Sequence, residues 1–136
     1  MSRYVSIELR REVAERAGFR CEYCRLPEAI AMGRFQVEHI IAIKHHGLTV
    51  SENLAYACPV CNAHKGTDIG TVLEGNETTI PFFKPRKHDW LEHFEVNNGE
   101  ILSKTLLGEA TVKILEFNTL EQILERLELS GTGIYP

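Results

Sequence analysis

Residues 37–66, VEHIIAIKHHGLTVSENLAYACPVCNAHKG, decide the fold of this chain. The stretch contains one C-x-x-C pair, Cys58 and Cys61, and a second pair, Cys21 and Cys24, precedes it. Zinc needs four deprotonatable ligands at tetrahedral corners, and two such pairs supply them without a large core. The two pairs account for all four cysteines of the chain. The spacing therefore predicts one structural zinc site that closes this segment.

Disulfides or a redox pair are the alternative uses of these cysteines. The sequence has no signal peptide and no apolar stretch long enough to cross a bilayer, which predicts a cytoplasmic protein without a membrane partner. Thiols stay reduced in that compartment, so zinc is favoured over disulfides. Each C-x-x-C pair forms what is called a zinc knuckle, and two such knuckles together are an unusual design for a redox centre.

Length and composition predict one ordinary soluble globule. The chain has 136 residues, of which 43% are hydrophobic and 25% are charged. Its net charge of −4 argues against tight, sequence-specific DNA recognition, which normally leaves a basic surface. The acidic excess is local: residues 1–90 hold 12 Lys+Arg against 11 Asp+Glu, and residues 91–136 hold 3 against 8. The nearly neutral front part is compatible with modest, non-specific binding of nucleic acid.

The first half of the chain predicts a helix, two strands and a second helix. Apolar spacing gives a helix over residues 6–17, capped by Ser6. Residues 34–41 alternate as a strand does, and a second strand covers residues 54–57. A short helix is predicted over residues 62–69, directly after the second knuckle. The order is a β-hairpin followed by a helix, closed by zinc.

The second half predicts a further hairpin and a terminal helix. The turn Asn98-Gly99 lies between two short apolar runs, as in a tight hairpin. Asn118 is predicted to cap the last helix, with Glu121 three residues later as in a capping box. One apolar stripe marks the predicted buried face of this helix and consists of Leu120, Ile123, Leu124 and Leu127.

This arrangement resembles the HNH endonucleases. The residues that carry the resemblance are the two knuckles and four motif positions: Glu38, His39, Asn53 and the terminal C-N-x-x-K at residues 61–65. The resemblance implies an α+β protein with a zinc-stapled, treble-clef-like ββα-metal core, an N-terminal helix, and a C-terminal hairpin with helices. Residues 1–70 would form the nuclease core, and residues 71–136 an extension packed on it within a single compact domain.

The chemistry of phosphodiester hydrolysis suggests a role for each of two adjacent residues, Glu38 and His39. The reaction needs an activated water and positive charge at the phosphate. His39 is the predicted general base, because a neutral imidazole accepts a proton near neutral pH. Glu38 is the predicted ligand of a catalytic divalent ion. Adjacent side chains on a strand point to opposite faces, so the strand must end or twist here for both to serve one site.

Two asparagines complete the predicted catalytic set. In the resemblance, Asn53 bonds loop backbone and holds the base histidine in register. Asn62 corresponds to a metal ligand on the helix, and its amide oxygen together with the Glu38 carboxylate favours Mg²⁺ or Mn²⁺. His64, two residues further on, is a second candidate ligand of that ion.

Substrate contacts are predicted around the same motif. Lys65 matches the basic position that closes the family pattern, where it would offer a point charge to phosphate. Lys44, His45 and His46 lie between the two motif strands and are further candidates for phosphate contact.

The sequence therefore predicts a metal-dependent endonuclease that acts on DNA, with structural zinc and catalytic Mg²⁺ or Mn²⁺. A non-catalytic zinc module that binds nucleic acid or protein is the main alternative, but it would have no need of Glu38, His39 and Asn62 together. An RNA-directed nuclease is the other alternative, because phosphate chemistry does not distinguish the two nucleic acids.

Overall fold

The computed structural model describes residues 4–136, which form two compact units, residues 4–69 and 70–136. The described residues contain three two-stranded antiparallel sheets together with helices, which confirms the mixed α/β class. That the second unit packs on the first within a single domain stays a prediction. Within residues 4–136, the helices are all too short or too polar to span a membrane.

The first unit opens with helix α1, Ile7–Arg16, as the sequence predicted. The Ser6 hydroxyl caps it by accepting a hydrogen bond from the backbone N–H of Leu9 at 3.1 Å. Near the other end, the guanidinium of Arg16 donates to the Leu54 carbonyl at 2.8 Å and to the Ser51 hydroxyl at 2.7 Å. The helix is thereby tied to the start of the second strand.

Two strands, β1 (Gln36–His39) and β2 (Leu54–Ala57), pair antiparallel. The bounds predicted for β2 are confirmed, whereas β1 is shorter than the predicted 34–41. Near both ends of β1, side chains take over from the second strand as hydrogen-bond partners of the backbone. The N–H of Phe35 donates to the Glu28 carboxylate at 3.1 Å, and the N–H of Ile41 donates to the Asn53 side chain at 2.9 Å. One more backbone bond, from the Ile40 N–H to the Asn53 carbonyl at 2.8 Å, lies between the end of β1 at His39 and the side-chain bond at Ile41.

Helix α2, Pro59–Lys65, begins three residues earlier than the predicted helix and ends four residues earlier. Cys58 is its N-cap, and Pro59 fits the first turn because its fixed φ is helical and its missing N–H would have no partner there. Gly66 ends the helix with φ +51°. The second knuckle thus lies within the first turn of α2, so Asn62 and Lys65 share one side of a short, fixed helix.

The second unit contains four strands and three helices among its described residues. The predicted hairpin is confirmed: Asn98 (φ 51°) and Gly99 (φ 81°) form the tight turn, since both central positions of such turns need positive φ. The elements are β3 (Gly70–Val72), β4 (Thr79–Pro81), α3 (Trp90–His93), β5 (Phe94–Asn97), β6 (Glu100–Ser103), α4 (Leu106–Ile114) and α5 (Leu120–Glu128).

The cap predicted for the last helix was wrong. Thr119 caps α5, and its hydroxyl accepts from the Gln122 N–H at 3.4 Å. Asn118 instead bonds the backbone of Ile101, accepting from its N–H at 2.9 Å and donating to its carbonyl at 2.8 Å. Both ends of the Asn118 amide are thus occupied by β6, so Thr119 takes the capping role.

The buried face of α5 also differs from the prediction. Leu120, Leu124 and Leu127 are exposed, whereas Arg126 is buried. The guanidinium of Arg126 donates to the carbonyls of Gly99 and Phe117 and to the Asn118 side chain. A hydrogen-bonded arginine therefore fixes the orientation of this helix, and the apolar stripe does not.

Candidate metal centre and active-site cleft

The four cysteines converge in the first unit. All are buried, and their sulfur atoms lie within 4.8 Å of one another. Four thiolates about 2.3 Å from a tetrahedral zinc would lie about 3.8 Å apart. The Cys24 and Cys58 sulfurs are 3.8 Å apart, so the cluster has the size that zinc requires.

The backbone of each knuckle supports its sulfur atoms. The N–H of Cys24 donates to the Cys21 sulfur, and the N–H of Cys61 donates to the Cys58 sulfur, both at 3.4 Å. Hydrogen bonds of this kind stabilise the thiolate form that binds metal.

Four thiols this close do not ionise together without a cation. The contact with Cys21 and burial raise the pKa of the thiols of Cys24 and Cys61. The hydrogen bonds from Cys21, Cys24 and Cys61 lower the pKa of the Cys58 thiol. A bound divalent cation would offset the repulsion and deprotonate all four sulfurs. The donor set therefore fits structural zinc.

A cleft of about 210 Å³ lies in the same unit, between the end of β1 and helix α2. Three residues predicted for catalysis and metal binding, Glu38, His39 and Asn62, line it together with Lys44. The other lining residues are Ala42, Ile43, Gly66 and Thr67. The end of β1 at His39 is what allows two adjacent side chains to line a single cleft.

Glu38 is the most constrained group of the cleft. It is 8% exposed, and its two carboxylate oxygens accept from the Tyr23 hydroxyl and from the Lys65 ammonium, the latter at 3.0 Å. Burial raises the pKa of Glu38 above its ordinary value, while Lys65 and Tyr23 oppose that rise. Each carboxylate oxygen retains a further lone pair, so the group can still offer an oxygen to a cation.

Lys65 is buried, at 2% exposure, on the inner side of α2. Its ammonium donates to Glu38, to the His39 carbonyl at 3.2 Å and to the Ile40 carbonyl at 3.0 Å. An ammonium has three donors, and these acceptors use all of them. In this arrangement Lys65 anchors the end of β1, which differs from the predicted contact with substrate phosphate, since that contact needs an accessible ammonium.

Asn53 fixes the loop that joins β1 to β2. Its side chain accepts from the Ile41 N–H and donates to the carbonyls of Ile41 and Leu48, each at 2.9 Å. Gly47 packs against the same place, and a Cβ there would lie 1.7 Å from the Ile41 carbonyl oxygen. Only glycine fits so close an approach. The loop directly after His39 is therefore held from both sides.

The remaining predicted residues have different surroundings. The His39 ring is half-buried and its Nε2 lies 2.9 Å from the Thr49 hydroxyl, a contact that orients the imidazole. His45 and His46 are exposed in and after a 3₁₀ turn over Ile43–His45, outside the lining of the cleft. His64 is half-buried on α2 and is likewise not a lining residue.

Sequence reasoning missed two residues that touch the predicted set, Tyr23 and Thr49. Tyr23 lies within the first knuckle, and its hydroxyl donates to Glu38. Burial, and then the charge of Glu38, raise the pKa of Tyr23, so its hydroxyl stays protonated and donates. A buried tyrosine hydroxyl needs a polar partner, which is the signal that could have identified it. Thr49 carried no comparable signal.

Comparison with protein families gives a match for part of the chain: the HNH endonuclease family matches residues 21–68. Comparisons with curated proteins and with solved structures give no match. The matched segment contains both knuckles, the cleft residues and Asn53, which confirms the resemblance inferred from the sequence. Residues 21–68 are therefore similar to an HNH endonuclease domain, and at the level of that family the match suggests nuclease-type activity.

Replacement of one knuckle cysteine tests the metal centre. We expect the purified protein to hold about one zinc per chain and Cys58→Ser to lose both the zinc and cooperative unfolding, because structural zinc supplies folding free energy. Elemental analysis and thermal unfolding measure the two effects. A wild-type sample that is well folded and free of zinc would contradict this assignment.

Proposed function

We propose that this protein is a metal-dependent endonuclease that hydrolyses DNA phosphodiester bonds at the cleft of its first unit. The observation that supports the proposal best is the assembly of Glu38, His39 and Asn62 around one cleft, in the same unit as a four-cysteine centre. A module that only binds nucleic acid has no requirement for a carboxylate, an imidazole and an amide at one point.

Each cleft residue has a proposed role. His39, oriented by Thr49, accepts the proton of the attacking water, and Asn53 keeps the loop after His39 in register. Glu38 and Asn62 would hold a divalent ion, and their oxygen donors match the preference of Mg²⁺ and Mn²⁺. When bound, that ion would supply positive charge at the scissile phosphate and the leaving oxygen. Lys44, an exposed lining residue, is the proposed phosphate contact.

Loss of the proposed base gives the first test of catalysis. We expect His39→Ala to lower the rate of plasmid cleavage by about 10²–10⁴, the range typical of general acid–base catalysis. Zinc content and thermal unfolding should stay close to those of the parent, because the ring is only half-buried and belongs to none of the four zinc positions. A variant that cuts at the parental rate would remove His39 from the mechanism.

The proposed ion site calls for substitutions that leave the fold intact. Glu38→Ala would leave the buried Lys65 ammonium without its carboxylate acceptor, and breaking such a pair costs about 3–5 kcal/mol. Glu38→Gln also removes the charge but keeps the shape and an oxygen that can accept from Lys65, so it is the milder variant. We expect Glu38→Gln and Asn62→Ala each to raise the Mg²⁺ or Mn²⁺ concentration needed for cleavage, with Mn²⁺ the better rescuer because it tolerates a less ideal ligand shell.

Gln36→Ala is the matched control for these variants, since Gln36 is an exposed amide residue on the same strand and does not line the cleft. Its metal requirement should equal that of the parent. Unchanged metal requirements in both cleft variants would contradict the proposed ligands. Parallel assays with DNA and RNA substrates decide between the two nucleic acids.

A further inference from the structure

The first knuckle of the zinc centre and the helix that begins at the second each place one polar side chain on Glu38. Tyr23 lies between Cys21 and Cys24 in the first knuckle and is completely buried. Lys65 lies on α2, whose first turn is the second knuckle. The Tyr23 hydroxyl donates to one oxygen of Glu38 and the Lys65 ammonium to the other.

The two contacts hold Glu38 in different ways. Lys65 also bonds the carbonyls of His39 and Ile40, so it holds the backbone that follows Glu38 as well as the carboxylate. The Tyr23 hydroxyl contacts the carboxylate itself, so this bond acts directly on the orientation of the side chain. A ligand carboxylate that loses one of its two contacts keeps its place on the strand but is held less firmly in orientation.

We propose that Tyr23 is a positioning residue for the catalytic ion site, which it serves by orienting the Glu38 carboxylate from within the zinc knuckle. This inference rests on the proposed function. The zinc centre then has a second role, because besides closing the fold it carries the group that aims the proposed metal ligand. Second contacts of metal ligands typically contribute about 10–100-fold to metal affinity or activity.

The first unit offers a matched control, Tyr56. Tyr56 is a buried tyrosine on β2, 7% exposed, and its hydroxyl donates to the Glu28 carboxylate at 2.6 Å. Burial and the contact with Glu28 raise its pKa to about 12. Tyr56→Phe and Tyr23→Phe thus remove the same kind of bond, from a buried tyrosine to a carboxylate, but Glu28 does not line the cleft.

The test compares Mn²⁺ binding to zinc-loaded wild type, Tyr23→Phe and Tyr56→Phe by electron paramagnetic resonance, without DNA. We expect Tyr23→Phe to retain one zinc per chain and to weaken Mn²⁺ binding by about 10–100-fold, and Tyr56→Phe to bind as the wild type does. Cleavage by Tyr23→Phe should recover mainly as the Mn²⁺ concentration is raised, which a general loss of stability would not produce.

Three results would overturn the inference. Mn²⁺ binding by Tyr23→Phe at the wild-type affinity would show that the hydroxyl does not position Glu38. Equal weakening in Tyr56→Phe would show a general effect of losing a buried hydroxyl. A wild type that binds no Mn²⁺ would remove the ion site of the proposed function, and with it the role of Tyr23.

Discussion

The convergence of four cysteine sulfurs is the constraint on which the first unit depends. The unit ends at Ile69, and a chain of that size has little hydrophobic core with which to fix a loop-rich fold. A zinc ion held by the four sulfurs would supplement that core by joining the segment before β1 to the helix after β2. Both strands of the hairpin lie between the two knuckles, so a metal bound there would fix both ends of the segment that contains the cleft residues Glu38 and His39.

Burial of Glu38 is the second constraint, and it follows from the first. A buried carboxylate is stable only when it is paired and hydrogen-bonded, and its two donors are Tyr23 of the first knuckle and Lys65 of the helix that begins at the second. The same ion pair ties α2 to the end of β1, which keeps Asn62 and His39 at one cleft. In this interpretation the metal centre, the ion pair and the cleft form one structural system.

Local patterns predicted much of this fold. The knuckles, the strand Leu54–Ala57 and the Asn98-Gly99 turn follow from neighbouring residues, and the structure has all of them. The candidate residues Glu38, His39 and Asn62, the last of them named by the resemblance to the HNH endonucleases, line one cleft. Apart from the bounds of α2, which Pro59 and Gly66 set locally, the main failures of the sequence predictions come from contacts between distant parts of the chain. Tyr23 and Lys65 act on a carboxylate 15 and 27 residues away, and no periodic pattern reports such partners. On α5, the hydrogen bonds of the buried Arg126, and not the predicted apolar stripe, determine which face of the helix is buried, because a buried guanidinium must satisfy its donors.

Plasmid cleavage by the wild-type protein, with its zinc content monitored, tests the proposed catalytic ion most directly. Labile divalent ions are removed with a chelator too weak to extract the thiolate-bound zinc, and Mg²⁺ or Mn²⁺ is then restored. We predict no cleavage after chelation, full zinc occupancy throughout, and cleavage when either ion is returned. Cleavage that persists in the chelated, zinc-loaded protein would contradict a separate catalytic ion, and no cleavage under any metal condition would contradict the endonuclease.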